Sequence, residues 1–272
     1  MTLTPQTPQT LLTLDRYLEV LQYDTEALAV VLDQADGSLP VRSCPGWTLA
    51  DLGYHVGEVH RFWHWVVRNG VQEVTEANSP QFARPDDAEL AGWLRHGLAD
   101  FLPVLRAVDP AAPAWSWTPQ RDMAFIQRRM PHETSVHRWD AEDAAAVGVA
   151  GTEAASPIAP DLAADGVSEF FLLASAGRYE SHAPVAFRAV DTGHAWTASV
   201  DDGQMQVVDG VTQASVVLTG CASDLLLTLW RRLPLLGDPR QGEACEEGAG
   251  FGVLADGDEG LAQTFLGLVD LD

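Results

Sequence analysis

The sequence contains no lysine; all 16 of its basic residues are arginine. No side-chain Schiff base can therefore form, which excludes pyridoxal-phosphate and class I aldolase chemistry. A Walker A phosphate loop would lack its lysine as well. Cysteine is scarce too: Cys44, Cys221 and Cys245 lie far apart, with no CxxC and no even disulfide framework. Such usage is expected of a reducing compartment. No apolar run approaches the ~20 residues of a membrane span. The opening segment MTLTPQTPQTLLTLD has neither the basic stretch nor the long apolar stretch of a secretory signal. The expectation is a cytoplasmic protein with no membrane partner. Positive charge is outweighed by 39 acidic residues, for a net charge of −23. A phosphate backbone would be repelled, so nucleic acid is not an expected partner. The acidity itself reads as solubility or adaptation to salt.

What is present suits a globular chain of two cores. The 272 residues are 46% hydrophobic and 20% charged, and domains commonly run to roughly 100–150 residues. Leu14, Leu18, Leu21, Leu28 and Val31 recur at helical spacing and predict a first amphipathic helix over 10–34. Ser-Cys-Pro-Gly-Trp at 43–47 reads as a turn. Thr48, with Asp51 three residues on, starts a second helix as a capping box, and Asn69-Gly70 stops it. A third helix begins near Pro85-Asp86 and carries Leu90, Trp93, Leu94, Leu98, Phe101 and Leu105, with Pro103 inside it. A fourth covers 122–147. Pro131 either kinks that helix or marks its true beginning near Met130.

Four helices with connections that double back predict a four-helix bundle over 1–150. The Gly-, Ala- and Pro-rich stretch GVAGTEAASPIAP leads through a linker at 151–160. Residues 161–272 change character: a helix at 162–175 is followed by alternating stretches at 185–190, 195–200, 204–208 and 214–218. These are bounded by Asp/Gly turns such as Asp201-Asp202-Gly203, the grammar of a β-meander. Helices are predicted at 222–232 and 261–268, and an acidic loop near 242–248. The whole is a two-domain α+β chain.

One constellation carries chemistry. On a helical wheel Leu52, Val59, Phe62 and Val66 fall within about 60° of His55, so His55 sits in the apolar stripe of the second helix. His60 and His64 fall about 140–180° away and read as solvated or rim histidines. In the fourth helix Glu133 and His137 are i,i+4, about 40° apart on one face, with Ile126, Met130 and Ala144 near that face. Two imidazoles and a carboxylate suit Zn2+ or another first-row divalent metal with an open position. A metal-free, hydrogen-bonded His–Glu–His cluster stays equally open on the residues alone. Asp140, one turn past His137, is placed to orient a ligand imidazole or to pair with Arg138 or Arg61.

The motifs RSCPGWTLADLGYHVGEVH (42–60) and HETSVHRWDAE (132–142) resemble the mycothiol-dependent maleylpyruvate isomerase family of actinobacterial proteins. The resemblance implies a DinB/YfiT-like four-helix bundle followed by a C-terminal α+β domain similar to sterol-carrier folds. It implies metal ligation by a His of the first motif and a Glu-x-x-x-His of the second, positions held here by His55, Glu133 and His137. It also implies mycothiol or a related low-molecular-weight thiol as cofactor, adding to a conjugated cis double bond, so that rotation about the resulting single bond and loss of the thiol give the trans isomer. Arg231 and Arg232, after an apolar helix, are candidates to clamp a substrate carboxylate, or a charge pair at a helix end.

Three functions compete: a thiol-dependent metalloenzyme acting as isomerase or S-transferase on a small, dicarboxylate-like substrate, a metal-dependent hydrolase on the same bundle using metal-bound water, and a non-catalytic small-ligand-binding protein. Monomer and homodimer are both compatible with the sequence.

Overall fold

The computed structural model describes residues 12–148, 153–236 and 252–269. It divides into two compact units, one running from Leu12 to Ser156 and one from Pro157 onward.

The first unit is built on four long helices: α1 (Leu14–Gln34), α2 (Leu49–Asn69), α3 (Leu90–Ala107) and α4 (Met123–Gly148). A single 3-10 turn at Asp87–Glu89 leads into α3. α1 packs against α3 and α4, and α2 against α3 and α4. The core joins Leu28 of α1, Leu49, Leu52 and Val56 of α2, Leu94 of α3, and Ala141 and Ala144 of α4. Local chemistry sets the start of α2. The Thr48 side chain accepts from the Asp51 backbone while Asp51 accepts from the Thr48 backbone, closing the capping box. Gly70 in the left-handed region ends the helix. Pro131 lies well inside a continuous α4, so the helix does not begin at Met130. Beneath the apolar layer, α1 and α4 are tied by Asp24, which accepts from the Ser135 hydroxyl and faces Arg138 at 3.3 Å. Arg138 also reaches Glu142 at 2.8 Å.

In the second unit α5 (Pro160–Ala174) precedes β1 (His182–Ala189), β2 (Ala195–Asp201), β3 (Gln204–Asp209) and β4 (Val216–Gly220). α6 (Ala222–Leu229), β5 (Leu235–Leu236), β6 (Val253–Gly257) and α7 (Glu259–Leu266) follow. The strands form one sheet in the order β3-β2-β1-β4-β6-β5. Only β1, β2 and β3 make the expected meander; β4 returns parallel to β1, and β5 is parallel to β6. Asp202 and Gly203 both have positive φ, the geometry of a type I′ hairpin that closes β2 onto β3. Phe171 of α5, Phe187 of β1 and Phe265 of α7 meet ring to ring in its core.

α6 ends at Leu229 rather than 232, and Arg231 adopts the left-handed conformation beyond it. Cys221, at the N-cap of α6, is disulfide-bonded, whereas Cys44 is not in a disulfide. Cys245 and the predicted acidic loop at 242–248 lie outside the described residues. No helix among the described residues is long and apolar enough to cross a membrane.

Candidate metal centre

α2 and α4 bring His55, Glu133 and His137 together: one ligand atom from each lies within 4.8 Å of the other two. His55 Nε2 stands 3.3 Å from Glu133 Oε1, and His137 Nε2 stands 3.2 Å from the same oxygen. The two imidazoles meet edge to face, with centroids 5.1 Å apart. A tetrahedral centre with bonds of about 2.0–2.1 Å spaces its ligand atoms about 3.3–3.4 Å apart. The trio therefore fits a small divalent ion without large movement, and its donor chemistry suits a first-row metal.

The electrostatics show what these groups do when no metal is bound. Burial disfavours the Glu133 carboxylate, yet Arg129 and His137 outweigh that cost and hold its pKa well below the ordinary value. Burial likewise disfavours the His137 cation, but Glu133 and Asp140 override it and raise the pKa to about 9. At neutral pH the His137 Nε2 proton thus occupies the direction in which a metal would sit, and metal uptake releases a proton. His55 is the most open of the three, with 31% of its side-chain surface accessible against 14% for Glu133 and 10% for His137.

The surroundings are ordered on every side. Asp140 Oδ2 lies 2.9 Å from His137 Nδ1, and the Trp47 indole packs on the His55 ring at 4.8 Å. Arg129 pairs with Glu133 Oε2. Sequence reasoning missed Arg129, although its position four residues before Glu133 is the spacing of a helical ion pair. Trp47 was visible only as part of a turn.

His60 is not the solvated histidine the wheel suggested. It is fully buried, its Nε2 is 2.8 Å from Thr134 Oγ1, and burial lowers its pKa to about 4. The buried arc of α2 is wider than its apolar stripe because α4 offers a hydroxyl to meet it. His64 stacks on Phe101, with ring centroids 5.8 Å apart. In the other unit, the Arg231 guanidinium donates to the carbonyls of Leu266, Gly267 and Val269, at the C-terminal end of α7. That arrangement satisfies helix-end acceptors and suits the dipole, so a substrate carboxylate would compete with these bonds. Arg232 donates to the Trp230 carbonyl at 2.7 Å.

Comparison with known proteins bears on the same unit. Residues 20–142 match the family model described as the mycothiol maleylpyruvate isomerase N-terminal domain. A crystal structure of a mycothiol-dependent maleylpyruvate isomerase is similar over 81% of this chain and 90% of its own, at 14% identity and a TM-score of 0.51. A histidine-to-alanine mutant of such an isomerase has the same coverage and identity and a TM-score of 0.49. A sec-alkylsulfatase from a Pseudomonas species aligns with 82% of this chain and 44% of its own at 14% identity, with a TM-score of 0.31. No protein of curated function matches the sequence.

Proposed function

We propose, from the match of residues 20–142 to the mycothiol maleylpyruvate isomerase N-terminal domain model, that the protein is a thiol-dependent metalloenzyme. Its bundle would hold one divalent ion, Zn2+ or another first-row metal, through His55, Glu133 and His137. The reaction proposed is isomerisation or S-transfer on a small substrate, with mycothiol or a related thiol as co-reactant. The single observation that carries the reading is the convergence of those three side chains from two helices at the spacing of metal ligands.

A divalent ion bound there would hold a thiol as its thiolate at neutral pH, making it a nucleophile. The chain's own residues supply the rest. Asp140 would keep the His137 Nδ1 proton, so that Nε2, once its own proton has left on metal uptake, would present its lone pair to the ion. Arg129 neutralises the outer oxygen of Glu133 and leaves Oε1 facing the imidazoles. Trp47 holds the plane of the more exposed His55 ring. The carboxylate role of Arg231 and Arg232 forms part of the same proposal. Replacing either by Gln would raise KM for a dicarboxylate without changing metal content.

Two measurements test the reading. Metal analysis of the purified protein is expected to give about one first-row divalent ion per chain, lost in a His55→Ala variant. Thermal unfolding with mycothiol is expected to show a raised midpoint; a ligand at 100 times its Kd adds about 2.7 kcal/mol to the folded state. A stoichiometric metal with no response to any thiol would favour the hydrolase instead, and absence of metal would overturn the reading altogether.

A further inference from the structure

We propose that Ser43 and Cys44 are positioning residues for the metal centre, acting on His137 through Asp140. The inference rests on the metal reading above and names the part of the chain that holds its geometry. Asp140 is fully buried, and a buried carboxylate is tolerated only when its oxygens are met by donors. Both oxygens are met from one turn. The Ser43 hydroxyl donates to Oδ1 at 2.7 Å, and the Cys44 thiol approaches Oδ2 at 3.9 Å. Oδ2 is also the atom that faces His137 Nδ1. Loss of those two donors would weaken the hold on the carboxylate, and with it the orientation and tautomer of the imidazole it faces.

The turn is well built for this task. Val41 N donates to Trp47 O at 3.0 Å, Cys44 N to Val41 O at 3.1 Å, and Trp47 N to Cys44 O at 3.0 Å. Gly46 takes a φ of 88° that a side chain would resist. The capping box that begins α2 follows directly at Thr48. Five consecutive residues thus stand behind both imidazoles: Ser43 and Cys44 behind His137 by way of Asp140, and Trp47 against His55. The turn joins the α2 ligand to the α4 ligands although 78 residues separate His55 from Glu133 in sequence.

A rival use of the same atoms is direct ligation, since Cys44, His137 and Asp140 also present ligand atoms within 4.8 Å of one another. Against it, a cation there would have to displace the Nδ1 proton and break the 2.9 Å contact to Asp140.

Cobalt titration of the full-length, metal-stripped protein in competition with a chromophoric chelator separates these outcomes. Asp140→Asn is expected to weaken cobalt binding about 10–100-fold, and Ser43→Ala with Cys44→Ala about tenfold, the low end of such effects. Ser43→Thr, which keeps the hydroxyl, restores wild-type affinity. Circular dichroism and thermal midpoints of the metal-free variants report folding separately; if the double variant unfolds, Ser43→Ala alone carries the same expectation at smaller size. Wild-type affinity in the folded double variant overturns the proposal and leaves the metal reading intact. A thiolate-to-cobalt charge-transfer band that disappears in Cys44→Ser overturns it in favour of direct ligation. If the wild type takes up no cobalt, both fall together.

Discussion

Histidines in this protein differ in charge according to what surrounds them, and each difference has a pH consequence. His60 is buried beside a hydroxyl with its pKa lowered to about 4, below the unfolded value of about 6.5. Its contribution to stability is complete above pH 6.5 and is lost as pH falls toward 4, by about 3 kcal/mol at most. Urea titrations at pH 7 and pH 4.5 would show this slope, and His60→Gln, which cannot titrate, would flatten it. His137 runs the other way. In the metal-free protein it is expected to titrate near 9, and Glu133→Gln removes its main cationic support. Its imidazole resonances in Glu133→Gln should therefore titrate well below those of the wild type; an unchanged titration would mean that Asp140 alone sustains the cation. Periodicity set His55 on the inward stripe of one helix and Glu133 with His137 on one face of another, each a local property; their convergence is visible only in the structure. Periodicity misjudged His60 because a wheel describes one helix, whereas burial at that position depends on Thr134 of another.

Helix ends and close approaches decide how the elements hold these side chains. Thr48→Ala breaks the capping box of α2 and is expected to cost about 1 kcal/mol, measurable as a lower thermal midpoint of the bundle. Gly57 permits a closer contact: a Cβ there would fall 2.2 Å from the Trp93 ring. That ring cannot easily move, being stacked on Tyr54 at 5.6 Å and covered by Arg61 at 3.6 Å. Gly57→Ala is expected to destabilise the α2–α3 pair by about 1–3 kcal/mol, with a lower denaturation midpoint as the readout. Periodicity and caps made the four bundle helices legible, including the Thr48 start and the Gly70 stop. They did not reveal β5 and β6. A two-residue strand has no period to detect, and the parallel return of β4 beside β1 is a long-range pairing that no local pattern encodes. Pro131 left two readings open for a related reason: only tertiary packing decides whether a long helix tolerates the loss of one backbone bond.

Across the whole molecule, 39 acidic against 16 basic residues leave a net charge of −23, so like charges repel in the folded state. Raising ionic strength shortens the Debye length from about 30 Å at 0.01 M to about 8 Å at 0.15 M. The thermal midpoint should therefore rise with salt over that range; a fall would mean that surface pairs such as Arg95 with Glu26 and Asp33 outweigh the general repulsion. The N-terminal unit is also lopsided in how it encloses its cluster. Glu133 and His137 are fastened one turn apart on a single helix, while His55 comes from another and meets water more freely. The result is a latch with one loose side. Were the proposed ion in place, an incoming chelator would unhook the α2 imidazole first and leave the α4 pair as a weaker, two-point grip. Unloading would then proceed in two kinetic phases, the fast one set by how firmly a single indole presses on a single ring.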